Sequence, residues 1–136
     1  MSTTDLEDAL KANADFYAAF TAGDCERVVS LLADRSEITV MHPGWPIVRG
    51  RVAVTRTWQD VSAQPPPVQL HDVHACAAGP GVVLVTCIED VGGTLLAATN
   101  VWIADRGGWR LLHHQAGASM VTGGDHHLPD DDLTFH

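Results

Sequence analysis

A chain of 136 residues, 46% hydrophobic and 18% charged, is long enough for one folded domain with a real core and too short for two. Its 17 acidic against 8 basic residues give a formal charge of -9, which repels phosphate backbones and anionic headgroups and so excludes nucleic acid and membrane surfaces as partners. The N-terminal MSTTDLEDAL is acidic where a signal peptide is basic, and no apolar run approaches the ~20 residues of a membrane span. Cys25, Cys76 and Cys87 are odd in number and form no paired motif, so a cytoplasmic protein with buried thiols is expected.

In chain order, Thr4 and Glu7 have the spacing of a capping box, and Leu6, Leu10, Tyr17 and Phe20 recur at helical intervals up to Gly23. The pattern predicts a first helix over residues 5–21. Asp24 is placed to cap a shorter second helix with the apolar stripe Val28, Leu31 and Leu32, ending near Asp34. Residues 37–42 alternate, with Ile38, Val40 and His42 facing one way and Glu37, Thr39 and Met41 the other, which is the period of a half-buried strand. Pro43-Gly44-Trp45-Pro46 turns the chain, and residues 47–49 return as a short strand. Val54, Trp58 and Val61 mark a third helix over residues 51–62, stopped by Pro65, Pro66 and Pro67. Four strands follow over 69–77, 82–91, 94–104 and 109–118, divided by Gly79-Pro80-Gly81, Gly92-Gly93 and Asp105-Arg106-Gly107-Gly108; they should form an antiparallel meander. One domain over residues 1–122 is expected, followed by an acidic, histidine-containing tail over 123–136 that has no apolar period.

The closing hairpins have even loops, so residues directly opposite one another share a face of the sheet. One face holds Val83, Val85, Cys87 and Glu89 against Leu96, Ala98, Asn100 and Trp102, and these against Trp109, Leu111, His113 and Gln115. The other, with Leu84, Ile88, Val101, Ile103, Leu112 and His114, is mostly aliphatic. Three helices cover only one face, so the aliphatic one is expected to pack on a second copy in a homodimer. The mixed face, with large aromatics and few polar groups, is expected to line a pocket for a small apolar organic ligand.

Burial in such a pocket raises the pKa of Glu89 towards that of a usable general base or acid, and His42 alternates inward with Ile38 and Val40. Glu89 and His42 are therefore the candidate catalytic residues, and Tyr17, Trp45, Trp58, Asn100, Trp102 and His113 the candidate pocket lining. His113 and His114 necessarily face opposite ways, so at most one lines the pocket, and a shifted register exchanges them. Each candidate has a plainer reading: Glu89 as a solvated strand end, His42 as a turn cap, Tyr17 and Trp58 as core, Trp45 as an exposed anchor. His71 and His74 also face opposite ways, so no metal site is expected. No cofactor is expected either, since the chain has no phosphate loop, dinucleotide fingerprint or nucleophile motif.

The order helix, helix, hairpin, helix, four-strand meander resembles the nuclear transport factor-like superfamily, which includes ketosteroid isomerases, scytalone dehydratase, limonene epoxide hydrolase and SnoaL-like polyketide cyclases. NADFYAAFTAGDCERVVSLL resembles the first two helices, HPGWPIVRGRVAVTRTW the hairpin into the third, and ATNVWIADRGGWRLLHHQAGAS the closing hairpin of the SnoaL-like branch. The resemblance implies an α+β fold in the order α-α-β-β-α-β-β-β-β, with a cone-shaped curved antiparallel sheet and three N-terminal-half helices on its concave face. It also implies a pocket between them and dimers formed through the sheet.

It does not imply one reaction. Ketosteroid isomerases use an aspartate base, with a tyrosine and a protonated aspartate as oxyanion donors. Tyr17 falls near the position of that tyrosine, but the acid here is Glu89, well after the strand of that aspartate. No Asp-Arg-Asp set of the epoxide hydrolase type appears, whereas His42, His113, Tyr17 and Asn100 match scytalone dehydratase-like chemistry by residue type. The expected function is an isomerase, cyclase or dehydratase moving a proton on an apolar carbonyl or polycyclic substrate. Glu89 or His42 is then the base, and Asn100, Tyr17 and His113 stabilise oxyanion charge. The alternative is a non-catalytic ligand-binding or oligomerisation module of the same fold.

Overall fold

The computed structural model describes residues 2–120, so the expected tail lies outside the described residues. Helix α1 (Thr3–Thr21) starts earlier than the Thr4 and Glu7 pattern suggests. Ser2 is the cap: its hydroxyl accepts from the Asp5 amide, while the Asp5 carboxylate accepts from the Ser2 amide. The same reciprocal geometry is available one pair upstream, and choosing it lengthens the helix. Helix α2 (Cys25–Ser30) is capped by Asp24 as expected, through the Arg27 amide, and closes at Leu31, short of Asp34.

Strands β1 (Thr39–Met41) and β2 (Val48–Arg49) form the short hairpin, and α3 (Arg51–Ser62) follows at the expected residues. The meander is β3 (Val68–Gly79), β4 (Val82–Val91), β5 (Thr94–Asp105) and β6 (Gly108–Ala118). All six strands make one sheet in the order β2-β1-β6-β5-β4-β3. The meander is antiparallel, but β1 lies parallel to β6, so the sheet is mixed rather than wholly antiparallel. The reason is connectivity: β1 and β6 are joined through the rest of the domain, not by a hairpin, so nothing forces them to run in opposite directions.

Two strands carry bulges. In β3 the pairing with β4 slips between His71 and His74, where Asp72 takes φ 53. In β6 it slips between Leu111, opposite Trp102, and His113, opposite Val101, leaving Leu112 as the extra residue. The second slip has a local cause. The Leu111 amide donates to the Leu31 carbonyl and its carbonyl accepts from the Ala33 amide, pinning Leu111 beside the end of α2. Further along, β1 pins His113 to Gln115 in parallel register. One residue is too many to satisfy both constraints with a flat strand, and the bulge takes it up.

The helices cover one face of the sheet, and the core lies between, around Phe16, Trp58 and Trp102. Phe16 meets Trp58 edge-on at 5.0 Å between ring centres, and Trp102 at 6.1 Å. Such pairs add about 0.5–1.5 kcal/mol each beyond the area they bury. No element of the described chain covers the opposite face, where Leu84, Ile88, Val101 and Leu112 are half-buried and Thr86 and Ala97 exposed. The thiols are not uniformly buried as expected: Cys87 is buried on the helix side, but Cys25 is half-exposed at a helix start and Cys76 exposed on the open face. No helix among the described residues is long and apolar enough to cross a membrane.

Candidate active site

Between α1, α3 and the covered face of the sheet lies a cavity of about 530 Å³. Its walls are apolar, from Phe16, Phe20, Trp58, Val68 and Leu96, and its polar lining comes from Tyr17, His42, Glu89 and His114, with Asp60 and Gln64 at an exposed rim. Trp45, 42% exposed, closes one side of the mouth, with its ring 4.9 Å from that of His42. Another cleft, of about 550 Å³ between α1 and the β5–β6 turn, is lined by charges that pair with one another, such as Asp15 with Lys11 and Arg27. It offers no buried polar group to a ligand.

Of the residues singled out from the sequence, Glu89, His42, Tyr17, Trp45 and Trp58 line the cavity. Asn100 and Trp102, both fully buried, lie directly behind its wall rather than on it. His113 is a correction. The bulge at Leu112 turns it to the open face, where its Nδ1 bonds Thr39 Oγ1 at 2.6 Å, and brings His114 opposite Asn100 instead. Sequence reasoning also passed over Asn13. It was visible as the one polar member of the stripe Leu6, Leu10, Asn13, Tyr17, Phe20, and a polar residue in a core stripe calls for a buried partner.

Those partners form one connected network whose direction can be worked out. The Trp102 indole Nε1–H can only donate, and it donates to Asn13 Oδ1 at 3.0 Å. Asn13 Oδ1 also accepts from Asn100 Nδ2 at 3.0 Å, and the second hydrogen of that amide goes to Tyr17 Oη at 3.1 Å. Tyr17, already accepting, donates its own proton to Glu89 Oε2 at 2.5 Å. With Nδ2 so placed, Asn100 Oδ1 faces His114 and accepts from its Nδ1–H at 2.6 Å. The remaining His114 nitrogen, Nε2, is left with a lone pair 4.0 Å from Glu89 Oε2.

His42 is oriented in the same way. The Thr57 hydroxyl lies 2.8 Å from the Val54 carbonyl, and two oxygens that close need a proton between them. Thr57 Oγ1 thus has no proton to give to His42 Nε2, 3.0 Å away, and accepts from it, leaving His42 Nδ1 bare.

Burial acts on all of these groups. It lowers His42 to about 4. It lowers His114 to about 3, helped by the neighbouring His42 and His113 rings. It raises Glu89 above the ordinary carboxylate range, against the Tyr17 hydrogen bond, which favours the charged form. Tyr17 is pushed well up by burial and by Glu89, and the Cys87 thiol to about 11 by burial, so neither ionises near neutral pH. Burial thus raises the proton affinity of the carboxylate and lowers that of both imidazoles, so the gap that ordinarily favours imidazole is closed from both sides.

A family model for the SnoaL-like domain matches residues 9–122 of this chain. The chain belongs to the SnoaL-like family. Among solved structures, this SnoaL-like domain is similar to a provisionally described dehydratase of the NTF2-like family from Streptomyces avermitilis. The two are 34% identical, covering 87% of this chain and 98% of that one, with a TM-score of 0.78. An NTF2-like protein of unknown function from Pseudomonas putida shares the fold at 18% identity and a TM-score of 0.75, covering 96% and 97% of the two chains. A provisionally described calcium/calmodulin-dependent kinase II association domain from Thiobacillus denitrificans shares it at 24% identity and a TM-score of 0.67, covering 80% and 93%. No curated protein matches. Among the described residues no cluster of histidine, cysteine and acidic side chains has the arrangement of a metal site.

Proposed function

We propose that this SnoaL-like domain is a cofactor-independent enzyme of the isomerase, cyclase or dehydratase kind, with Glu89 as its general base. The observation that carries the reading is the placement of one buried carboxylate in an apolar cavity: Glu89 is held by Tyr17, its proton affinity is raised by burial, and it lies beside two imidazoles that burial keeps neutral. Glu89 takes a proton from carbon. It returns that proton to another carbon in an isomerisation, to the carbonyl oxygen whose π bond the new carbon–carbon bond replaces in a cyclisation, or to a departing hydroxyl, which leaves as water, in a dehydration. The provisional description of the Streptomyces avermitilis relative as a dehydratase supports the last of these. Asn100 and Tyr17 act here as positioning residues, because the amide and phenol hydrogens that would stabilise an oxyanion are spent on Asn13, Tyr17 and Glu89. A second copy of the chain is the natural cover for the open sheet face, where Leu84, Ile88, Val101 and Leu112 lie half-buried.

The test is Glu89→Gln, assayed on a panel of hydroxylated and carbonyl polycyclic compounds. Turnover should fall about 100-fold or more while affinity stays within about tenfold, since the amide keeps the shape but takes no proton. Equal turnover in the variant would remove Glu89 as the base. Binding without turnover in the unmodified protein would assign the cavity to a binding module.

A further inference from the structure

The directions of the hydrogen bonds say what the cavity lacks. Apart from the Trp58 indole, each side chain with an N–H or O–H on its inner wall has spent that donor on the protein. Tyr17 donates to Glu89, His114 Nδ1 to Asn100, and His42 Nε2 to Thr57. What remains for a ligand is a lone pair on His42 Nδ1, a lone pair on His114 Nε2 and the carboxylate of Glu89. Among the described residues the only buried side-chain nitrogen or oxygen atoms without a partner are Trp58 Nε1 and Ser62 Oγ. The unpartnered imidazole nitrogens are therefore not sealed in the core but open onto the cavity that both rings line. The two rings are 6.1 Å apart between centres and both lie against the Trp58 indole, at 4.6 Å for His42 and 5.2 Å for His114. Trp58 Nε1–H is itself closed off from solvent, and the one side-chain amide on the lining, Gln64, sits at the exposed rim.

We infer that the ligand of this cavity is a polyhydroxylated ring compound, recognised through its own hydroxyl hydrogens by His42 Nδ1 and His114 Nε2, and not a ketone recognised through its oxygen. This assignment rests on the cavity being the ligand site, as proposed above, and narrows the substrate class to molecules with at least two hydroxyls on an apolar framework. A ketone oxygen placed among these groups sets its lone pairs against theirs with no hydrogen between. Two ring hydroxyls instead satisfy both imidazoles, and the framework lies against Trp58, Phe16 and Phe20. Thr57 and Asn100, which touch no ligand, are the specificity-determining residues of this arrangement, since each dictates which nitrogen its histidine presents.

Two measurements on the full chain at neutral pH test this. Isotope-labelled histidine NMR of the unliganded protein should show His114 protonated on Nδ1 and His42 protonated on Nε2; the opposite tautomer at either ring overturns the inference and leaves the site reading untouched. Calorimetric titration should show a naphthalenediol binding about tenfold or more tightly than both its dimethyl ether and the matching ketone, tetralone. Equal or tighter binding of the ketone overturns the inference. Failure of all three probes to bind, with the tautomers as stated, overturns the ligand-site reading itself. In Thr57→Val, His42 is freed to present an N–H, and the preference for the diol over the ketone should shrink several-fold; an unchanged preference removes His42 from the recognition.

Discussion

The two faces of the sheet use similar residues to opposite ends, and His113 and His114 make the contrast at a single step of the chain. His114, 4% exposed, is fixed in one tautomer by Asn100 and kept neutral by burial. His113, one residue earlier, is half-buried on the open face, bonds Thr39 and is lowered less far. On the covered face the donors of Tyr17, His42 and His114 are committed, and these groups and Glu89 leave lone pairs over. On the open face Thr86, Thr99 and Gln115 lie side by side across β4, β5 and β6 as a half-exposed to exposed polar row, with aliphatic side chains on either side of it. The difference shows that chemistry at this site is set less by which residues are present than by which hydrogen bonds they have already made.

The sharpest way to break this contrast is at its hub. Asn100→Leu removes the group that joins Asn13, Tyr17 and His114 and leaves the His114 Nδ1–H buried without an acceptor. A loss of about 3–5 kcal/mol in urea unfolding is expected. A cost similar to that of an open-face substitution would mean that the network is not a structural unit.

The pH dependence of stability should separate the two histidines next. The folded-state pKa of His114, about 3, lies below its ordinary value, so its contribution is present above about 6.5 and lost as pH falls, at about 1.4 kcal/mol per pH unit. His42, at about 4, acts in the same direction, ending at a higher pH. Glu89 acts oppositely, because burial favours its protonated form and its contribution is lost as pH rises through its folded-state pKa. In denaturant titrations between pH 6.5 and 4, His114→Gln should flatten the acid slope by about one proton, and His113→Gln by distinctly less. Equal slopes in the two variants would contradict the assignment of faces.

A smaller effect on folding, but a decisive one for assembly, is expected at Val101. If a second copy covers the open face, Val101→Asp should give a monomer in sedimentation where the unmodified chain sediments as a dimer. A monomeric unmodified chain at micromolar concentration would leave that face uncovered. The smallest effect should come from Thr99→Val on the same face, within about 0.5 kcal/mol of the unmodified protein, because that hydroxyl is not buried in a network.

Much of this molecule is legible in its sequence because local chemistry decides it. Asp24 caps α2, Pro65 to Pro67 follow the end of α3, the glycine turns divide the meander, and the β4–β5 pairing that sets Val85 opposite Asn100 and Glu89 opposite Leu96 follows from loop length alone. Two-residue periodicity also places His42 inward with Ile38 and Val40, all three buried. What only the tertiary structure decided is the register of β6 and the direction of β1. Both depend on segments distant in sequence: the Leu31 and Ala33 backbone holding Leu111, and β1 holding His113. Because side chains alternate with a period of two, that single extra residue exchanged His113 for His114 in the site. The choice of lone pairs over donors likewise required the network from Trp102 to Glu89 for His114 and the Thr57 hydroxyl for His42, since a histidine in a sequence does not say which nitrogen it offers until its neighbours have taken the other.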